Sequence, residues 1–160
     1  MKQMFSVGVV CLLVGLSFGL SLPGGEAAMM YIPLQDLAGE ADTIVLGTVT
    51  RQESAWDIHH TAIYTDVTVA IEHVIVGSPG TEVTFRVAGG IVGSMGMSTS
   101  NDPVFQNGER VVVFLDTTAV PGSVVGMQQG KFTVRDNAVT SAGQTMALED
   151  FLGTIRTAGH

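Results

Sequence analysis

The chain has 160 residues, a length that suits one ordinary domain. It carries 7 Lys and Arg against 15 Asp and Glu, so its formal net charge is −8 at pH 7. Nucleic acids and anionic membranes are therefore poor partners, because both select clusters of Lys and Arg.

The N-terminus has the pattern of a secretory signal peptide. Lys2 supplies a positive charge, Met4 to Leu22 form an uncharged apolar run, and small residues follow. Cleavage after Ala27 puts small side chains at the two positions that require them. We therefore expect a signal peptide over residues 1–27 and one exported domain over residues 28–160, in the periplasm or the medium. An uncleaved N-terminal membrane anchor is the alternative, because the apolar run nearly reaches the roughly 20 residues that a bilayer requires.

The chain has a single cysteine, Cys11, and it lies inside the apolar run of the signal. The mature domain is then without cysteine. This excludes a disulfide, a cysteine nucleophile and a cysteine-ligated zinc site.

A short helix is predicted over residues 34–42, before the first strand. The clearest strand pattern follows within residues 61–77, where Val67, Val69 and Ile71 fall on one face and polar residues on the other. The alternation breaks near Glu72 or His73, which predicts a β-bulge, and Gly47 in the preceding strand predicts a bulge or bend. Similar patterns predict strands at residues 43–51, 81–87, 110–116, 124–128, 131–135 and 138–140.

The C-terminus changes to a helical period. The apolar residues Leu148, Phe151, Leu152 and Ile155 follow i, i+3, i+4 and i+7 spacing, which predicts an amphipathic helix with Thr145 as its N-cap.

Many short strands with a helix at each end predict a mainly β domain. We expect an antiparallel Greek-key barrel that resembles an oligonucleotide/oligosaccharide-binding (OB) fold, with the terminal helix closing one end. A β-sandwich is the alternative.

Candidate metal ligands lie in a polar loop predicted over residues 52–60. Asp57, His59 and His60 supply a carboxylate and two imidazoles, which are ordinary ligands of zinc and copper. A solvated hairpin tip is the simpler interpretation, because adjacent side chains of a strand point to opposite faces. We therefore expect no cofactor. Trp56 in the same loop is a candidate ligand contact.

A glycine-rich connection spans residues 88–103. It lacks the Lys of a phosphate-binding loop and the GxSxG spacing of a nucleophile elbow. Ile91, Val92, Met95 and Met97 give it apolar side chains that suit an adaptable contact surface, because methionine is flexible and polarisable. Filling of the core beneath a long loop is the alternative. Arg110, at the start of a central strand, is a further candidate binding residue.

Five segments carry a resemblance to a known group of proteins: ADTIVLGTVT (41–50), IYTDVTVAIEHVIVG (63–77), VTFRVAGG (83–90), FQNGERVVVFL (105–115) and GMQQGKFTV (126–134). They resemble a family of small exported bacterial β-proteins in order and in motif. The resemblance implies export and a coherent β fold rather than an activity.

The arrangement is also similar to the netrin-like barrel of tissue metalloprotease inhibitors. Those inhibitors act through an N-terminal cysteine that chelates the protease metal, whereas the predicted mature chain begins at Ala28. This departure argues against inhibition by that mechanism.

We therefore expect a non-enzymatic exported domain that presents the loops over residues 52–60 and 88–103 to a protein or carbohydrate partner. A metal-binding protein or metal-dependent hydrolase centred on Asp57, His59 and His60 is the second hypothesis. A secreted protease inhibitor is the third. Oligomeric state stays open.

Overall fold

The computed structural model of the chain describes residues 30–141 and 144–158. The predicted signal peptide, with Cys11 and Ala27, lies outside the described residues, so cleavage and export stay predictions. In the part of the chain that the structure describes, neither helix is long and apolar enough to cross a membrane.

Two helices flank the described strands, as predicted. The elements in chain order are α1 (Leu34–Glu40), β1 (Thr43–Trp56), β2 (Ile63–Val76), β3 (Glu82–Ala88), β4 (Gly90–Val92), β5 (Met95–Met97), β6 (Arg110–Asp116), β7 (Gly122–Val124), a short 3-10 helix (Met127–Gly130), β8 (Lys131–Arg135), β9 (Ala138–Ser141), β10 (Gln144–Ala147) and α2 (Leu148–Ala158).

Five strands close into a barrel. β1 pairs with β2, β2 with β3, β3 with β7 and β7 with β6, and β6 returns to β1 over six residue pairs from Thr43–Leu115 to Thr48–Arg110. These pairings are antiparallel except β3–β7, which is parallel. The architecture is consistent with the predicted OB-like barrel. Because the sheet closes on itself, the alternative of a β-sandwich is wrong.

Two barrel strands, β6 and the first half of β1, bury both of their faces in two separate cores. In β1, Val45 and Val49 point into the barrel, whereas Ile44 and Leu46 point outward beneath the helices. Each such buried side chain contributes about 1.5–3 kcal/mol. The inner core consists of Val45, Val49, Val67, Val69, Phe85, Val87, Phe105, Val111, Val113 and Leu115.

The C-terminal helix belongs to the outer core. Phe151 and Ile155 are buried against the outward side chains of the barrel, and Phe151 lies 4.6 Å from Phe132 and 6.2 Å from Phe114 between ring centroids. α2 therefore covers the outside of the sheet together with α1, and the expectation that it closes a barrel end is wrong. The helical spacing of the apolar residues predicted that one face of α2 is buried. It did not predict that this face packs on the outside of the barrel.

Three strands extend the sheet beyond the barrel. β8 pairs with β6 next to β7, β9 pairs with β8, and β10 pairs with β9. Phe132, Val134 and Val139 point into the outer core on one face of this extension. The other face carries polar side chains, including Thr133, Thr140 and Thr145.

Two local predictions are wrong. The strand predicted over residues 124–128 ends at Val124, because Gly126 and Met127 adopt left-handed backbone angles of 65° and 56° and lead into the 3-10 helix. Thr145 is not a helix cap. It lies in β10, where its hydroxyl is 2.9 Å from that of Thr140 on β9, and α2 begins at Leu148.

Candidate functional site

The β1–β2 hairpin is longer than its hydrophobic pattern indicates. β1 continues to Trp56, which pairs with Ile63, so residues 52–56 are strand and not loop. The connecting loop spans only residues 57–62. Nearer the barrel, the pairing passes from Leu46–His73 to Gly47–Ile71 and skips Glu72, which confirms the predicted bulge.

The glycine-rich connection contains a second, small hairpin, β4–β5, which docks on the first. The backbone N–H of Gly89 donates to the carbonyl of Ile63 at 2.8 Å, and the hydroxyl of Thr65 donates to the carbonyl of Gly89 at 2.7 Å. The Thr65 hydroxyl also lies 2.8 Å from that of Ser54. A side chain at Gly90 would collide with both hydroxyls, so this close approach requires glycine. The two segments predicted to carry recognition therefore lie side by side.

Two of the predicted contact residues flank Ile63. Trp56 is its partner across the β1–β2 hairpin, and the sulfur of Met97 accepts a hydrogen bond from its backbone N–H at 3.5 Å. Met95 lies two residues before Met97 on the same face of β5 and is 57% exposed. Trp56, Met95 and Met97 thus belong to one region of the molecule.

Asp57 fixes the turn at the tip of the β1–β2 hairpin. Its carboxylate accepts from the backbone N–H of Thr61 at 2.6 Å, from the Thr61 hydroxyl at 2.7 Å and from the backbone N–H of Ala62 at 3.2 Å. The Thr61 hydroxyl, followed by the two N–H groups, lowers the pKa of Asp57 below its ordinary value. Both carboxylate oxygens are therefore engaged in shaping the loop.

The same turn holds an aromatic pair. His60 has a left-handed backbone angle of 56°, and its ring stacks on that of Trp56 with centroids 6.0 Å apart and planes 27° apart. Trp56 is only half-buried. The stacking orders its indole while one part of the ring stays accessible.

Large apolar side chains are exposed on both hairpins. Ile58 at the tip of the first is 90% exposed, and Ile91 in β4 is 72% exposed. Sequence reasoning missed Ile58, because an isolated isoleucine in a polar loop produces no periodic pattern, whereas Ile91 lies in the glycine-rich segment predicted as an apolar contact surface. We call the side chains of Trp56, Ile58, Ile91, Met95 and Met97 the hairpin-end surface. Because Ile91 pairs with Gly96, it lies on the opposite face of β4–β5 from Met95 and Met97, so this surface includes both faces of the small hairpin.

Arg110 does not belong to this surface. It pairs with Thr48 on β1, eight positions before Trp56, which corresponds to roughly 25 Å along a strand. Its guanidinium contacts the carboxylate of Glu72 at 2.7 Å, and Glu72 also accepts from the hydroxyl of Thr48 at 2.9 Å. Arg110 ties three strands together across the bulge of β2.

A metal centre at Asp57, His59 and His60 stays a prediction. Among residues 30–141 and 144–158, no group of three or more His, Cys, Asp or Glu side chains is arranged to hold a metal ion. His59 and His60 are both exposed at the hairpin tip.

No model of a known protein family matches the chain, and a search of curated proteins finds no significant match.

Proposed function

We propose that this protein is an exported, non-enzymatic binding domain that captures a protein partner through the hairpin-end surface. The proposal rests on one observation above all. Two hairpins that are joined by hydrogen bonds carry large apolar side chains that the fold itself does not bury. The export component rests on the signal-peptide pattern of residues 1–27.

The exposure of these side chains has an energetic cost that binding would recover. Ile58, Ile91 and Met95 are 90%, 72% and 57% exposed. Each would contribute about 1.5–3 kcal/mol if a partner buried it. Scattered exposed apolar residues are ordinary in proteins. Their concentration on two adjoining protrusions is what supports a contact surface.

The supporting framework is ordered before binding. Asp57 closes the first turn with three accepted hydrogen bonds, and Gly89 joins the second hairpin to β2. A surface that is already ordered loses less conformational entropy when a partner binds. This favours recognition by a fixed apolar shape rather than by a segment that folds on binding.

A protein is a better match than a carbohydrate for this surface. Three of its five members are aliphatic or methionine side chains with high exposure, and such groups pack against other side chains. A sugar ring would use the indole of Trp56, which is already stacked on His60. Carbohydrate binding is therefore an outcome to be tested and not the proposal.

The experiment is site-specific photocrosslinking in the source cells. A photoreactive residue replaces Ile58, Met95 or, as the matched control, Val120, which is 98% exposed in the loop that follows β6. Val120 is a suitable control because that loop lies near Thr43, at the opposite end of β1 from Trp56. We expect the same protein to be crosslinked from Ile58 and Met95 and not from Val120.

Mass spectrometry of the crosslinked species identifies the partner, and Met95→Asp in an otherwise natural chain then weakens its capture. Equal crosslinking from all three positions, or none from Ile58 and Met95, would contradict the proposal. Retention by immobilised oligosaccharides that is lost in Trp56→Ala would favour a carbohydrate ligand instead.

A further inference from the structure

The strand β10 forms the edge of the main sheet. Among the described residues, the strand order ends at β10 on one side, whereas the other side closes through the β1–β6 pairing. All four residues of β10, Gln144–Ala147, are exposed, and none is charged or proline. Sheet edges are commonly protected by charges, proline, bulges or very short strands, because an open edge pairs with other chains. β10 is short, at four residues, and it carries no charge, proline or bulge.

The alternation of hydrogen-bonded and non-bonded pairs along β10 identifies which of its backbone groups face away from the sheet. The N–H of Leu148 donates to the carbonyl of Asn137 at 2.8 Å, just beyond the β9–β10 ladder. Because bonded and non-bonded pairs alternate in an antiparallel ladder, Met146 and Gln144 point their backbone groups toward β9. Thr145 and Ala147 therefore point theirs away from the sheet.

An apolar cavity of about 190 Å³ lies beside this edge. Residues of β10, including Met146, form one wall, Tyr31 and Ile32 form another, and the rings of Phe132 and Phe151 contribute to its lining. Gln129 holds the second wall in place. Its amide accepts from the N–H of Ile32 and donates to the carbonyl of Met30, each at 2.9 Å.

We propose that β10 binds an extended segment of another protein by strand addition, with an apolar side chain of that segment entering the cavity. The edge supplies main-chain hydrogen bonds and the cavity supplies selectivity, which is the usual division of roles in strand addition. A second copy of this chain is a poorer occupant. The large apolar side chain of β10, Met146, lines the cavity of its own chain, so a second copy would not offer it to the cavity of this one.

Amide hydrogen exchange measured by NMR tests the proposal. The probe is a blocked seven-residue peptide of alternating threonine and leucine, and the control peptide has asparagine in place of leucine. We expect saturating probe to slow exchange at the N–H groups of Thr145 and Ala147 about tenfold or more, and the control peptide to leave both unchanged. Exchange at Met146, which already faces β9, should change least.

Protein variants separate the backbone contribution from that of the cavity. Thr145→Pro removes one outward N–H and should weaken peptide binding about tenfold, whereas Thr145→Val keeps the N–H and should bind normally. Tyr31→Ala, on the cavity rim, should also weaken binding, and Tyr64→Ala, on β2, should not. Spectra of each variant report whether it is folded.

Four results would overturn the proposal. The first is protection of Thr145 and Ala147 before peptide is added, because the protein's own chain would then cover the edge. The second is no change at saturating peptide. The third is equal binding by Thr145→Pro and Thr145→Val. The fourth is protection that follows protein concentration alone, which would indicate pairing of two copies. Ile58→Ala should leave peptide binding intact, so failure here is distinguishable from failure of the hairpin-end surface.

Discussion

The carboxylate of Glu109 lies 2.8 Å from the ammonium group of Lys131, and only 13% of each side chain is exposed. The hydroxyl of Thr133 donates to the same carboxylate at 2.6 Å, and the Lys131 nitrogen lies 4.8 Å from the centroid of the Phe105 ring. This pair fastens the segment that precedes β6 to β8. It joins the barrel to the three-stranded extension of the sheet.

Removing one member of this pair should destabilise the protein strongly. Lys131→Met leaves the Glu109 carboxylate largely buried without its cation, and we expect a loss of about 3 kcal/mol in the free energy of unfolding. The double variant Glu109→Gln with Lys131→Met should recover most of that loss, because no unpaired charge is left. Urea unfolding of the four proteins in the cycle gives the coupling energy. A single variant within about 0.5 kcal/mol of the natural protein would show that the pair contributes little.

The outer core makes a separate prediction about α2. Phe151→Ala should cost about 3–5 kcal/mol, because the ring is buried against Phe114 and Phe132. Arg156→Ala, on the exposed side of the same helix, should change stability by less than about 0.5 kcal/mol. Thermal and urea unfolding compare the two. Similar stabilities for both variants would contradict the packing of α2 on the barrel.

Acid should weaken the cross-strand pair between Asp66 and Arg86. Arg86 contacts both carboxylate oxygens, at 2.7 and 2.8 Å, and these hydrogen bonds lower the pKa of Asp66 below its ordinary value of 3.8. Because the folded state has the lower pKa, the stabilisation is fully present above the unfolded value. It is lost as pH falls through the folded value.

The difference in stability between the natural protein and Asp66→Asn is the quantity to measure. It should be constant near neutral pH and shrink as pH falls below about 4 and then through the lower pKa of the folded state. Denaturant unfolding at a series of pH values measures it. A difference in stability that grows as pH falls would contradict this prediction, because it would mean that protonation of Asp66 strengthens the pair.

Cleavage of the predicted signal peptide would determine the mass and the first residue of the mature protein. Mature protein isolated from the source cells should begin at Ala28, because cleavage after Ala27 satisfies the requirement for small side chains. Intact mass and N-terminal sequencing decide this. Full-length protein in the membrane fraction would favour the alternative of an N-terminal anchor.

Strong apolar patterns were sufficient to predict four of the five barrel strands, β1, β2, β3 and β6, whereas β7 has only three residues and was predicted in the wrong place. The central strand was predicted over residues 110–116 and is observed as Arg110–Asp116, because its five consecutive apolar residues are buried on both faces. β10 was missed for the opposite reason. All four of its residues are exposed, so no alternation of polar and apolar side chains distinguishes it from a loop.

The candidate site could be predicted only in part. The structure places Trp56, Met95 and Met97 in one region, and their role in binding stays a prediction. The extension of β1 to Trp56 was not predicted. Nothing in the sequence indicated that Arg110 lies apart from these three residues. Its partner Glu72 is 38 positions away, and only the closed sheet brings the two together. The exposure of Ile58 and Ile91 likewise depends on tertiary packing.

The docking of the second hairpin should depend on a single glycine. Gly90 has a backbone angle of 136°, and a methyl group there would collide with the hydroxyls of Ser54 and Thr65. Gly90→Ala should therefore detach β4–β5 from β1–β2 without unfolding the barrel. The hydrogen bond from Gly89 to Ile63 then opens, so amide exchange at Gly89 should accelerate about tenfold or more.

Gly96→Ala is the matched control for this change. Gly96 lies in β5, and the nearest atom that a methyl group there would meet is a side-chain carbon of Ile91 at 3.8 Å, an ordinary contact distance. In Gly96→Ala, amide exchange at Gly89 should match that of the natural protein. If Gly90→Ala lowers partner crosslinking from both Ile58 and Met95, recognition requires the two hairpins to be held together. Crosslinking that persists at Ile58 in Gly90→Ala would mean that the first hairpin binds the partner independently of the second.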